Sequence, residues 1–288
     1  MNISRAISRL FLFGALGLSA AVTAQDRRDA LVLGDSIAFS YIASVGYDYF
    51  YTNPENFSGF SDELGRRYHL NVVNAACPGE TTGSFLSATA PDYGCRAFRS
   101  LYPLHANYRL TQLDFATTYL RSHRGVRLVT LTLGANDGFL LEASCASNST
   151  PLLAEECVEA GAPAVLAAVG QHIATILAAV RATGYAGAIV VTNYYSLDYS
   201  DLAGTALTAD LNAAIAAPAS AYGAVVADVF TAFATVANNT PFGGKTCDTG
   251  LLNPDVYSPY VCNDHPAQTG HRLIAKTIAE ALRKTDVD

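Results

Sequence analysis

The chain has 288 residues, half of them apolar and 15% charged, with a formal net charge of −7. That composition supplies a sizeable core and excludes global disorder. An acidic chain with no basic run beyond Arg27-Arg28 and Arg66-Arg67 also lacks the clustered cations that nucleic-acid phosphates require.

The first 24 residues read as an export signal. Arg5 and Arg9 form a positive start, "LFLFGALGL" from Leu10 is a short apolar run, and "VTA" sets small residues before Gln25. Cleavage is expected after Ala24, leaving one domain from residue 27 to residue 288. No stable membrane anchor is expected: that run is too short, and no later stretch approaches ~20 continuous apolar residues. A secreted or periplasmic monomer is the expectation.

The first element is "ALVLGDSIAFS", where four apolar residues, Ala30 to Leu33, run into Gly34-Asp35-Ser36. Further apolar, β-branched runs follow at Leu70–Ala75, Val126–Gly134, Ala188–Asn193 and Ala224–Asp228. Each is continuous rather than alternating, as in strands buried on both faces of a parallel sheet. Between them lie helical patterns at Tyr108–Arg121, Pro163–Gly184, Leu207–Tyr222 (interrupted by Pro218) and Thr269–Arg283. Strand alternating with helix predicts a three-layer α/β/α sandwich around a five-stranded parallel sheet. Residues 46–62 and three cysteine-bracketed stretches read as long loops, which in a compact domain are usually functional or stapled.

Six cysteines lie after the signal, an even number suited to an oxidising compartment. Sequence alone does not fix their connectivity. The expected pairs are the local ones, Cys77–Cys95, Cys145–Cys157 and Cys247–Cys262. The rival, a zinc site, is disfavoured: there is no CxxC, and the histidines lack ligand spacing. No metal and no cofactor are expected.

In open parallel sheets, ligand sites form beyond the carboxyl ends of the strands. Ser36 follows the first strand, Cys77-Pro78-Gly79 the second, and Asn136-Asp137 the third. A serine there is a turn or cap residue, or a nucleophile. The second role needs a base to take its proton and donors for the developing oxyanion. Of six histidines, His69 and His123 sit near helix ends among charged residues, and His172 lies inside a helix. His271 reads as a packing or surface residue on the last helix. His105 lies in a loop and stays open as a candidate base. His265, in a loop just before the last helix with Pro266 at its expected start, is placed to reach the rim. Gly79, in a tight turn, can present its N–H, and Asn136 its side-chain amide. Asp35 reads as a turn-holding residue.

"GDSIAFS", "NAACPGETT", "GANDGF" and "HPAQTGH", in that order, resemble the four blocks of the SGNH or GDSL hydrolases. The resemblance covers the whole chain beyond the signal. It implies a flavodoxin-like sandwich and a carboxylic ester hydrolase, with Ser36 as nucleophile and His265 as base. Ser36, Gly79 and Asn136 then form the oxyanion hole. Exported relatives with three local disulfides make the most similar subgroup. The family usually places an aspartate three residues before the histidine; here that position is Cys262. Asp264 is the neighbour of His265 and is expected to point away from it, so a main-chain carbonyl around Cys262 is the expected orienting group, giving a Ser36–His265 dyad. The aromatic stretch Ser40–Phe60 can line an acyl or alcohol pocket or serve as ordinary core. The expected substrate is a small-molecule or lipid ester. Contrasting readings are a carbohydrate acetylesterase on the same fold and a non-catalytic binding protein.

Overall fold

The computed structural model describes residues 28–43, 48–148, 150–239, 241–254 and 262–284. The expected export signal and cleavage site lie outside these residues.

Five strands form one parallel sheet: β1 (Asp29–Gly34), β2 (Asn71–Asn74), β3 (Val126–Thr132), β4 (Ala188–Thr192) and β5 (Ala224–Ala227). Their order is β2-β1-β3-β4-β5. All neighbours pair parallel, with Val32 opposite both Asn74 and Thr130. The five expected strands are present within a residue or two. Eleven α-helices among the described residues accompany them. Between β1 and β2 come α1 (Ser36–Phe39), α2 (Asp48–Tyr51) and α3 (Phe60–Tyr68); between β2 and β3 come α4 (Thr82–Leu86), α5 (Cys95–Leu101) and α6 (Gln112–Ser122). Then follow α7 (Ala135–Asn148), α8 (Pro151–Ala182), α9 (Leu202–Ala216), α10 (Val229–Ala237) and α11 (Gln268–Arg283).

Alternation along each strand sends side chains into two cores. Ala30, Val32, Leu128 and Val190 meet Phe60 and Leu64 of α3, Phe233 of α10, and Ile274 and Ile278 of α11. Leu31, Leu33, Val129, Leu131 and Val191 meet Leu120 of α6, Val169, Ile173 and Val180 of α8, and Ile215 of α9. Both faces are buried, which is why the strands read as continuous apolar runs. Each fully buried Val, Leu, Ile or Phe among them contributes roughly 1.5–3 kcal/mol.

Three local expectations are corrected. The long helix starts at Pro151 behind Thr150, not at Pro163, which lies exposed inside it. Both prolines suit a helix start, and an interior one is tolerated here on the solvent side at the loss of one backbone hydrogen bond. The helix's span Leu152–Ala182 is long and apolar enough to cross a bilayer by length and mean hydropathy, although it is not a continuous apolar run. Gly161, Pro163, Gln171 and His172 break the run without lowering the average enough, and its apolar stripe packs on the sheet. Cys145 and Cys157 bracket no loop: they sit on α7 and α8 and staple a helical hairpin. The expected His265 loop is a strand, in the antiparallel pair β6 (Leu252–Pro254) and β7 (Cys262–Pro266).

All three local disulfides are formed, Cys77–Cys95, Cys145–Cys157 and Cys247–Cys262. Cys77, Glu80 and Cys95 bring metal-type donors together among the described residues, but both sulfurs are committed to a disulfide.

Candidate active site

The carboxyl ends of β1 and β3 lie side by side where the strand order reverses, the switch point at which doubly wound sheets bind ligands. Gly34 ends β1 with φ +135, and a Cβ there would sit 1.9 Å from the Thr132 carbonyl oxygen. Only glycine permits that approach. Asp35 N–H then donates to Thr132 O at 3.0 Å, and Asp35 caps α1 by accepting from Ile37 N–H at 3.0 Å. Ser36 therefore opens α1 at the sheet rim. Asp35 is fully buried and accepts from the Tyr194 hydroxyl. Burial pushes its carboxyl up to about 6, against the pull of Tyr194, the Ile37 amide and the His265 charge.

Asn136 stands in the first turn of α7, immediately after β3. It is buried, and its amide donates to the Glu80 carbonyl at 2.9 Å, leaving its second N–H for another acceptor. Gly79 precedes Glu80 in the turn after β2. Its φ is +83, and a Cβ would come within 2.4 Å of the Tyr93 carbonyl oxygen. Cys77 N–H donates to Gly34 O at 3.0 Å, which docks this turn beside the Gly34-Asp35-Ser36 corner. Beneath it, Gln112 accepts from Gly34 N–H at 2.5 Å and donates to Gly34 O and to the buried Glu80 carboxylate, both at 3.0 Å.

His265 lies on β7. Its Nδ1 is 2.8 Å from Asp264 Oδ1 and also contacts Asn263 Oδ1. Both partners are acceptors, so Nδ1 carries the proton and Nε2 is left as the basic nitrogen. Asp264 does not point away from the ring, and the groups against Nδ1 are two side chains rather than the expected Cys262 carbonyl. The pairing of β6 with β7 shifts register between Leu252 and Pro254, so regular alternation is not imposed on this short strand. Burial opposes ionisation of Asp264, but the hydrogen bond and charge of His265 outweigh it and hold the carboxyl below its ordinary value. The Asp264 carbonyl accepts from the Tyr195 hydroxyl, and Tyr41 packs edge-on to the His265 ring at 5.1 Å.

Ser36, Asn136 and His265 all line one cavity of about 210 Å³, with Asp35 and Asp264. Gly79 is not among its lining residues. The remaining wall is mostly apolar: Phe139 and Leu141 of α7, Val165 and Leu166 of α8, and Leu207 and Leu211 of α9. Glu142 sits at its edge, its carboxyl pushed up by burial. The described residues of the aromatic stretch, 40–43 and 48–60, do not line this cavity, although Tyr41 packs against His265. Phe50, Tyr51 and Phe57 pack with Phe39, Tyr41, Phe98 and Tyr102 as core. His105 is taken up by the Phe39 carbonyl at 3.2 Å, and burial lowers its pKa. His271 is buried against Phe60.

The sequence matches the GDSL-like Lipase/Acylhydrolase family over residues 32–273. The chain belongs to that family. It is accordingly a carboxylic ester hydrolase on the flavodoxin-like sandwich. No curated protein sequence matches it as a relative. Solved structures share the hydrolase's fold at low identity. An extracellular lipase from Streptomyces rimosus is 20% identical with TM-score 0.56, covering 88% of this chain and 99% of that one. Phospholipase A1 from Streptomyces albidoflavus is 18% identical with TM-score 0.53, over 88% and 99%. An acetyl xylan esterase from Geobacillus stearothermophilus is 13% identical with TM-score 0.51, over 88% and 94%.

Asn263 and the apolar wall were not read from the sequence. Asn263 belongs to no motif block, and the wall is assembled only when α9 folds against the α7–α8 hairpin.

Proposed function

We propose that this hydrolase is an exported serine esterase acting on esters with an apolar acyl chain. The observation that carries this reading is the joint presence of Ser36, Asn136 and His265 in the lining of one largely apolar cavity. His265 Nε2 takes the Ser36 proton as Oγ attacks the ester carbonyl. The Ser36 N–H and the second N–H of Asn136, both on the cavity wall, hold the oxyanion. The N–H of Gly79, which is outside the cavity lining, is the third donor that the family resemblance implies. His265 then protonates the leaving alcohol, and water repeats the cycle on the acyl-enzyme. Asp264 and Asn263 hold the imidazole tautomer throughout. Three disulfides support an oxidising destination. The extracellular lipase and the phospholipase A1 among the structural neighbours agree with a lipid-like ester.

The test is hydrolysis of p-nitrophenyl esters from acetate to palmitate by the purified protein, with Ser36→Ala alongside. Each CH₂ that enters the apolar cavity contributes about 0.8 kcal/mol, so kcat/KM should rise about fourfold per CH₂ until the cavity fills. Activity should vanish in Ser36→Ala. An optimum at acetate favours a carbohydrate acetylesterase instead. A folded, disulfide-bonded protein that turns over no ester favours the binding reading.

A further inference from the structure

Behind the oxyanion residues lies a second polar cluster that does not line the Ser36 cavity: Asp137 on α7, Thr82 at the start of α4, and His172 on α8. Asp137 grips Thr82 twice. Its Oδ2 accepts from Thr82 N–H at 2.8 Å and its Oδ1 from the Thr82 hydroxyl at 2.6 Å. Thr82 is completely buried, and its Oγ1 also lies 2.8 Å from His172 Nδ1. A hydroxyl has one proton, and the carboxylate can only accept. Thr82 therefore donates to Asp137 and accepts from His172 Nδ1–H, a directed chain from α8 through α4 to α7. Burial raises the Asp137 carboxyl pKa, while the Thr82 bonds and the His172 charge oppose that rise.

The neighbouring residues are the ones the proposed chemistry needs. Asn136, beside Asp137, donates to the carbonyl of Glu80, two residues before Thr82. Asn136 and Asp137 thus hold the 80–82 segment at two points, and Gly79 is the residue just before it. A donor displaced by about 1 Å costs on the order of 100-fold in rate, so the register of this segment against α7 matters.

We propose that the Asp137–Thr82–His172 chain is a positioning device for the oxyanion hole, fixing Gly79 and Asn136 relative to each other; this rests on the esterase reading above. None of the three touches substrate. They act by keeping the Gly79 N–H and the second Asn136 N–H aimed at one point, so their loss should weaken binding of the transition state and leave ground-state binding alone.

The experiment compares wild type, Ser36→Ala, Thr82→Val, Thr82→Ser and His172→Ala by kcat, KM and affinity for an alkyl boronic acid. Thr82→Val keeps the buried shape without the hydroxyl. It should lower kcat by about 10- to 100-fold and boronate affinity in parallel, with KM within about threefold. Thr82→Ser restores the hydroxyl and should recover kcat to within about threefold of wild type. His172→Ala removes one donor from a half-buried site, which keeps the test open if Thr82→Val folds poorly. Its kcat should fall by about threefold to tenfold at unchanged KM. Wild-type turnover that vanishes in Ser36→Ala shows the esterase reading intact. Normal kcat in Thr82→Val and His172→Ala beside it, or losses confined to KM, overturns the positioning role alone.

Discussion

Asp264 Oδ1 lies 2.8 Å from Nδ1 of its own neighbour in sequence, His265. The same nitrogen contacts Asn263 Oδ1, and the Asn263 side chain also accepts from His265 N–H at 2.9 Å. The imidazole is thus held by an ionised acid and an amide together. Removing the only acid of a triad costs about 10⁴-fold in kcat. With Asn263 still holding the tautomer, Asp264→Asn should cost about 10- to 100-fold, and Asn263→Ala a similar or smaller factor. Asn263→Ala/Asp264→Ala together should approach 10⁴-fold, because no side-chain acceptor then faces Nδ1. Steady-state kinetics on one p-nitrophenyl ester decides it. A full 10⁴-fold loss in Asp264→Asn alone would assign the whole orienting role to the acid.

The sheet was legible because strands buried on both faces must be continuously apolar, and each such run is short, β-branched and closed by a polar or glycine residue. The apolar runs of α8 belong instead to a longer pattern with three- and four-residue spacing. Ser36, Asn136 and His265 were legible because each sits in a short block whose chemistry needs that residue. The α7 helix was not. It follows Gly134 and opens on Ala135-Asn136-Asp137-Gly138, mostly residues with turn preferences, and is held as a helix by packing on α8 and by Cys145–Cys157. The β6–β7 pair was hidden for a similar reason. Cys262-Asn263-Asp264-His265-Pro266 has no strand propensity, and its extended form comes from pairing with Leu252–Pro254 beside the Cys247–Cys262 bridge. Both misses are tertiary effects overriding local preference, and both fall at the site.

The apolar wall makes chain-length preference adjustable. Ala162 on α8 lines the cavity with Val158 and Val165. Ala162→Trp projects an indole into the cavity proposed to take the acyl chain. Turnover of the acetate ester should stay within about threefold of wild type, while the octanoate ester loses about 10-fold or more, since roughly two CH₂ groups lose their apolar contacts at about 0.8 kcal/mol each. Equal losses on both esters would place the acyl chain elsewhere.

The Cys145–Cys157 bridge holds the two helices that supply most of that wall. Its sequence separation is 12 residues. Loop closure of that size stabilises the fold by about 3 kcal/mol. Cys145→Ser/Cys157→Ser should lose about that amount in denaturant unfolding, with the other two bridges intact. Because the hairpin wall loosens, kcat/KM for the octanoate ester should fall more than for acetate. A stable variant with an unchanged ester profile would show that packing alone holds the hairpin.

Two buried groups give stability opposite dependences on pH. Asp35 has its carboxyl raised from 3.8 to about 6, chiefly by burial. Below pH 3.8 it is protonated in both folded and unfolded chains and carries no penalty. Between 3.8 and about 6 the unfolded chain ionises first, so stability falls as pH rises, by about 3 kcal/mol in full. His271 runs the other way, its imidazole lowered from 6.5 to about 4 by burial and by the His265 charge. Above pH 6.5 it is neutral in both states. From 6.5 down to about 4 the unfolded chain takes up a proton that the folded chain refuses, so stability falls on acidification, also by about 3 kcal/mol. The two slopes nearly cancel between pH 4 and 6 in the wild type and separate in the variants. His271→Gln removes the acid-side loss, so its stability relative to wild type should rise by about 3 kcal/mol from pH 7 to pH 4. Asp35→Asn removes the neutral-side penalty, so its relative stability should rise by about the same amount from pH 4 to pH 7. Urea unfolding of the three proteins at each pH unit reads both slopes, and the constant packing cost of each substitution drops out of the comparison. Curves that run parallel to wild type would mean that neither group titrates differently in the folded chain.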